Sequence, residues 1–451
     1  MERIVKHFVN GFEQATAKRS PERRVGAEMK FPFVDQQGRA GTDAGIQGLW
    51  RFLEQQGWRP DCDGASAKVI GACTPGPCND TMAGCETGFC KTEFALAHVA
   101  DLHELERMVD ELRGLLRRYS EQSGYLFLGS GIQPISPPSK HLEMKKSRNT
   151  FWADLFGSND AIAPEDGDDV HLFTVSASSQ VHIDVSLDEA VAAVNAFNGF
   201  AGAQIALTGN STIWRGELDA DHKCVGEMFW DWWDPGTGRY GIPLRPFADL
   251  PDYVRAIAGL SPVYVRRDGE PLGLPGYHSF FDYYRQAQAE AVDGAGNRVQ
   301  VRPEPADIDQ HGTFYWYNAR ISRYYTLENR VNDQQPPDDL LCIAALTLGL
   351  AEALDASSEE LRAHDWDDLR RSRVAACQQG LQGRVDGLAL ADLAGRLVDV
   401  AEQGLKRRGR GEQEYLAPLR QRLRSGRNPA DEARAVYERG GIPALLEAQR
   451  I

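Results

Sequence analysis

The sequence predicts an α+β fold in which an antiparallel sheet packs against helices. Two observations lead to it. Four segments alternate apolar and polar side chains with the period of two that gives a strand one greasy and one polar face. Between them lie segments whose apolar residues recur at helical spacing. One-sided strands separated by helices suit an antiparallel sheet with one covered face, whereas parallel strands read as unbroken apolar runs.

Residues 24–34 place Ala27, Met29, Phe31 and Phe33 on one face and Glu28 and Lys30 on the other. Residues 44–57 suit a helix, and residues 91–97 a second strand, with Phe94 and Leu96 opposite Glu93. Asp101 and Glu104 open a helix to Tyr119 whose stripe includes Leu102, Leu105, Val109, Leu112 and Leu116. Residues 158–169 read as a loop. Ser179–Val185 is a strand with Val181, Ile183 and Val185 on one side and Gln180, His182 and Asp184 on the other. Ser186 and Glu189 cap a helix expected to run to about Leu207.

Residues 234–246 and 291–312 read as connections. Residues 325–331 alternate again, with Thr326, Glu328 and Arg330 against Leu327, Asn329 and Val331. Beyond Asp339 the pattern is helical almost throughout, and Asn428-Pro429 starts a late helix.

The chain has 451 residues, 42% hydrophobic and 25% charged, with a formal net charge of −15. That charge argues against a broad nucleic-acid-binding surface and leaves room for a local phosphate pocket. No apolar run has the length of a membrane span, and the first residues lack the apolar core of a signal peptide. The expectation is a cytoplasmic protein with no membrane partner and mainly reduced cysteines. Five of the eight cysteines cluster early, at Cys62, Cys73, Cys78, Cys85 and Cys90. The last four, spaced C-x4-C-x6-C-x4-C, do not form a zinc-ribbon spacing. Free thiols, a redox-sensitive disulfide and a bound metal all stay open for them.

The polar faces of the four strands carry Glu28 with Lys30, Glu93, His182 with Asp184, and Glu328 with Arg330. Lining one cavity, they would combine carboxylates and an imidazole with cationic groups. Carboxylate oxygens suit Mg²⁺, which is usually held by a few carboxylates together with substrate phosphates. Arginine and lysine suit phosphate oxygens. The set points to phosphoryl chemistry on a sheet, while each strand taken singly also fits an ordinary solvated face. No P-loop, dinucleotide-binding glycine pattern, zinc-protease helix or nucleophile elbow is present.

In order along the chain, several segments resemble the glutamate–cysteine ligases of the second type and related carboxylate–amine ligases. They are Val25-Gly26-Ala27-Glu28, Glu86 with Glu93, Met144 to Arg148, Ser179 to Val185 and Ala206 to Ser211. Asp252-Tyr253-Val254, Pro262 to Gly269 and Gly312 to Arg330 continue the series. The resemblance implies a curved antiparallel sheet related to that of glutamine synthetase. It implies a catalytic domain over 1–354 and a helical region over 355–451 packed on it.

It also implies an ATP- and Mg²⁺-dependent ligase that activates a carboxylate as an acyl phosphate before an amine attacks. Glutamate is the expected donor and cysteine the first acceptor to test, with another amine or a peptide as the alternative. Glu28, Glu86, Glu93, His182 and Glu328 match metal-holding positions. Arg330 matches the arginine expected at the transferring phosphate, and Lys145 and Arg148 are nucleotide or substrate candidates. Lys30 is the departure, because the family usually has a second acid there. A lysine at that position replaces a metal's charge, alters the activity, or marks a chain that binds without catalysing. A guanidine phosphotransferase is a further alternative, by analogy of fold alone.

Overall fold

The structure is a computed structural model describing residues 2–20, 22–64, 66–76, 81–146, 159–233 and 238–451. Its centre is a nine-stranded sheet. The strands are β1 (Val25–Val34), β2 (Arg59–Cys62), β3 (Val69–Cys73), β4 (Met82–Gly84), β5 (Lys91–Ala95), β6 (Leu126–Phe127), β7 (Ser178–Ile183), β8 (Ala319–Ile321) and β9 (Leu327–Asp333). The spatial order is β8-β9-β7-β1-β5-β4-β3-β2, with β6 also on β1. Every pairing in this sheet is antiparallel. The four strands read from alternation are its middle: β5, β1, β7 and β9.

Their apolar faces join the main core. Phe31, Phe33, Phe94, Val181, Ile183 and Leu327 are buried in one cluster with Leu102, Leu105, Leu116, Ile343 and Leu346 from flanking helices. The Leu102–Ser123 helix is capped as its sequence predicts, with Asp101 accepting from the Glu104 amide at 2.8 Å. The buried Cys342–Glu352 helix crosses Leu390–Arg408 so closely that Gly349 and Gly404 leave no room for a side chain: a Cβ on Gly404 would lie 1.9 Å from the Gly349 carbonyl oxygen.

Five features depart from the sequence reading or add to it. The polar faces are not solvated, since Lys30, Gln180 and Glu328 are buried. The helix after Ser186 is two helices, Ala190–Gly199 and Ala201–Thr208, bent by 52° at Phe200. The segment 291–312 is not simply a connection: Ala289–Val292 pairs with Arg298–Val301 in a four-stranded sheet, and Asp307–His311 is helical. The cysteine-rich stretch contributes β2, β3 and β4, whose short, glycine- and proline-rich segments show no alternation. The helical C-terminal part also contains a small hairpin, Arg384–Val385 with Leu388–Ala389.

Among the described residues no single helix is long and apolar enough to cross a membrane. The described cysteines are free thiols, and Cys78 lies outside the described residues.

Candidate active site

Register decides which side chains meet. Paired residues on neighbouring strands share a face with close Cβ atoms. Lys30 on β1 pairs with Glu93 on β5, and Glu28 pairs with Gln180 on β7. His182 on β7 pairs with Glu328 on β9, and on its other side with Gly26, which adds no side chain to that row. A β-bulge then falls between Asn329 and Asn332. The extra residue bends the strand and re-aims Arg330, as bulges do, and its Nη1 lies 3.0 Å from Gln180 Oε1.

Two adjoining clusters result. In the first, Glu28, His182 and Glu328 offer ligand atoms all within 4.8 Å of one another. His182 Nε2 is 3.0 Å from Glu28 Oε1, and its Nδ1 is 2.9 Å from Thr326 Oγ1. Glu328 contacts Arg330 and accepts from Arg320 Nε at 2.8 Å. Burial opposes ionisation of both carboxyls. The His182 hydrogen bond and charge, with Lys30, still hold Glu28 low, and Arg320 and Arg330 hold Glu328 well below the usual range. Burial lowers His182, but Glu28 and Glu328 outweigh it and raise the imidazole.

In the second cluster, Lys30 Nζ lies 3.2 Å from Glu86 Oε1, 3.3 Å from Glu93 Oε2 and 3.9 Å from Glu28 Oε2. The lysine side chain is 2% exposed. Burial disfavours its charge, yet Glu86, Glu93 and Glu28 overcome that and raise its pKa. Glu86 also contacts Lys91 Nζ at 3.5 Å. Burial lifts the Glu93 carboxyl to about 7 despite Lys30, and the neighbouring Glu28 and Glu86 charges add to the rise. Glu93 Oε2 lies within ion-pair distance of Lys30 without an aligned hydrogen bond.

A cavity of about 830 Å³ opens beside these clusters, with Glu86, Gln180 and Arg330 in its wall. Lys68, Lys91, Lys145 and Lys146 line the part near β2–β5, and Phe173, Trp230, Trp233 and Trp316 line another part. Lys145 is 71% exposed and paired with Glu143 at 2.5 Å. It lines the cavity without contacting either cluster. Arg148 lies outside the described residues.

The five carboxylate and imidazole candidates thus divide. Glu28, His182 and Glu328 converge as one potential ligand set, while Glu86 and Glu93 converge on Lys30. Sequence reasoning did not single out Arg320, the half-buried register partner of Glu328 on β8, nor Thr326 as the residue fixing His182. The apolar neighbours Ala319 and Ile321 around Arg320 were the available signal, but three residues are too few for alternation to show.

The sequence pattern of the family described as glutamate–cysteine ligase family 2 matches residues 24–448. The chain belongs to that family. Its members are ligases, and the chain is a C–N bond-forming ligase by class. No curated protein gives a significant sequence match. Among solved structures, the chain resembles the glutamate–cysteine ligase of Francisella tularensis in complex with AMP, with TM-score 0.53 and 11% identity, covering 96% of this chain and 88% of that one. It also resembles a bifunctional glutathione synthetase from Pasteurella multocida, with TM-score 0.49 and 9% identity, over 97% of this chain and 52% of that one. At this identity the first likeness speaks for the fold alone, a mixed α/β architecture with an antiparallel sheet.

Proposed function

We propose that the protein joins the side-chain carboxylate of glutamate to an amine, with ATP activating the carboxylate as an acyl phosphate. One observation carries this reading: Glu28, His182 and Glu328 converge beside Arg330, and Arg330 lines a cavity large enough for substrates. The fold's likeness to a ligase crystallised with AMP supports a nucleotide site. We assign 1–354 to the catalytic domain and 355–451 to the helical region packed on it. With cysteine as acceptor the enzyme would act in glutathione biosynthesis, and we place it in the cytoplasm.

The residues fit a divalent cation. Two carboxylates held ionised and one imidazole present their donor atoms together. Thr326 occupies the far ring nitrogen of His182, leaving Nε2 towards the cluster, the arrangement typical of an oriented metal-binding histidine. Glu28, His182 and Glu328 would hold Mg²⁺, and Glu328 is also paired with Arg320 and Arg330. When bound, Mg²⁺ and ATP supply charge neutralisation and the phosphoryl group that turns the carboxylate into a good acyl donor.

Arg330 stands at the cavity wall with its guanidinium fixed by Gln180 and Glu328, so it can stabilise charge on the transferring group without reorganising. Arg320 stays beside Glu328 as its half-buried counter-charge. Lys30 holds Glu86, Glu93 and Glu28 together with a fixed positive charge. In this reading Lys30 does the electrostatic work of a second cation, leaving a single built ion site among the described residues.

The test is to incubate the pure protein with ATP, Mg²⁺, glutamate and an amine panel that includes cysteine, and to measure ADP and product mass. ADP formed with a new conjugate supports the reading. Absence of both nucleotide turnover and ATP binding in every combination sinks it. Lys30 also favours a second reading, a homologue that binds a ligand or partner without turnover, which ATP binding with no ADP in any combination would select.

A further inference from the structure

The cavity is chemically divided. Near β2–β5 its walls are ionic: Lys68 comes from the β2–β3 connection, Lys91 from β5, and Lys146 follows the segment bridged to Gly88. Towards β8 and β9 the walls are aromatic. Trp230 and Trp233 stand on the helix Val225–Trp233, Trp316 lies just before β8, and Phe173 lies just before β7. These rings form one assembly. Phe173 and Trp230 have centroids 4.3 Å apart, Trp230 and Trp316 lie 5.5 Å apart at 28°, and Trp233 meets Trp316 edge-on at 5.2 Å.

The reaction proposed above, on which this inference rests, brings a polyanionic nucleotide and an amine into one cavity. Lysines suit phosphates. A panel of aromatic faces suits a flat ring, which gains from stacking in addition to burial. A small aliphatic amine would leave the open parts of Phe173 and Trp230 facing water. Trp230 and Phe173 are only half-buried and line the cavity, so part of each ring is open to a ligand. Glu227 and Asp333 also line the cavity, Glu227 as the partner of the buried Arg373 at 3.2 Å.

We propose that the panel formed by Phe173, Trp230 and Trp316 binds the ring of an aromatic primary amine, which makes an aromatic amine, rather than cysteine, the preferred acceptor. Trp230 is the specificity-determining residue, because it contacts both other rings. The nucleotide's base is the other planar ring present in the reaction, and the experiment separates the two.

Intrinsic tryptophan fluorescence and calorimetry are recorded for the wild type and Trp230→Leu, titrated separately with tyramine, with cysteine and with a non-hydrolysable ATP analogue. The expected result is tyramine binding that quenches fluorescence and weakens about tenfold in the variant, the loss typical of one stacked ring. The ATP analogue should bind both proteins alike, which also shows that the variant is folded. Trp230→Phe should keep most of the tyramine affinity. Loss of nucleotide affinity in Trp230→Leu with tyramine unaffected would overturn the proposal and assign the panel to the base. Cysteine binding as tightly as tyramine would overturn it too. Tyramine binding without ADP formation under any condition would leave the panel assignment standing and count against the ligase reading instead.

Discussion

Lys30 Nζ and Glu93 Oε2 sit 3.3 Å apart across two register-paired strands, with Glu86 and Glu28 completing a carboxylate ring around the ammonium. A buried cation surrounded in this way keeps its proton because the carboxylates outweigh desolvation. Lys30 and the Glu28–His182–Glu328 cluster therefore share Glu28, and changes at one should be felt at the other.

Lys30→Met removes the cation and leaves three carboxyls facing one another. Stripping one partner from a buried ionic cluster usually costs about 3–5 kcal/mol, and the partial exposure of Glu86 puts this case at the lower end. Urea unfolding should show a loss of about 3 kcal/mol. Lys30→Glu, in contrast, should bind one more Mn²⁺ per chain than the wild type in equilibrium dialysis. Equal stoichiometry would remove the idea that lysine stands in for a cation.

Glu328→Gln should abolish turnover with the fold intact, because it removes a charge from the proposed ion site and unbalances Arg320 and Arg330. Arg330→Ala should lower kcat by about a hundredfold to a thousandfold, the usual effect of losing one preorganised donor. An unchanged rate in Glu328→Gln, with a normal circular dichroism spectrum, would take Glu328 out of the site.

Thr326→Val removes the oxygen that fixes His182 Nδ1 while preserving side-chain shape. Loss of such an orienting contact lowers metal affinity by about 10–100-fold. Calorimetric Mn²⁺ titration of the variant measures it, and an affinity equal to wild type would show that Thr326 does not position the imidazole.

Asp333 gives a pH prediction. Burial lifts its carboxyl to about 6, although the Asn210 amide, Ser211 and Cys224 donate to it and pull the other way. The folded state therefore binds this proton more tightly than the unfolded state does. The resulting stability is fully present below the unfolded value near 3.8 and is lost as pH rises through about 6. The full swing is about 3 kcal/mol, taken from the shift. The difference in urea stability between wild type and Asp333→Asn should change across that window and flatten above it. A difference independent of pH would contradict the raised carboxyl.

Gly404→Ala tests the helix crossing. Its Cβ would fall 1.9 Å from a backbone oxygen, which no side-chain rotation relieves. Overpacking of this kind costs about 1–3 kcal/mol, visible as a lowered Tm. An unaltered Tm would mean the two helices separate freely.

How far the sequence reveals this site depends on register. Alternation locates β1, β5, β7 and β9 and puts Glu28, Glu93, His182 and Glu328 on their polar faces, because a period of two is intrinsic to a strand. It does not reveal which strands are neighbours. Nor does it show that the polar face is buried, since a residue such as Lys30 in a covered ionic cluster reads the same as one in water. The bulge at Asn329–Asn332 is invisible to a strict period, yet it brings Arg330 to Gln180. The strands β2–β4 escape detection because Gly71, Gly84 and the nearby prolines interrupt any pattern. The aromatic panel is assembled from residues far apart in the chain, Phe173, Trp230 and Trp316, so no local spacing announces it.

The central claim is that ATP activates a carboxylate by phosphoryl transfer. It is tested most directly with glutamate carrying ¹⁸O in its side-chain carboxylate, together with ATP, Mg²⁺ and the amine panel. In the proposed route a labelled carboxylate oxygen attacks the γ-phosphorus, ADP leaves, and the amine later displaces that same oxygen with the phosphate. The account predicts ADP, an amide product and orthophosphate bearing one ¹⁸O. Label in AMP, or ADP accompanied only by unlabelled phosphate, would contradict it.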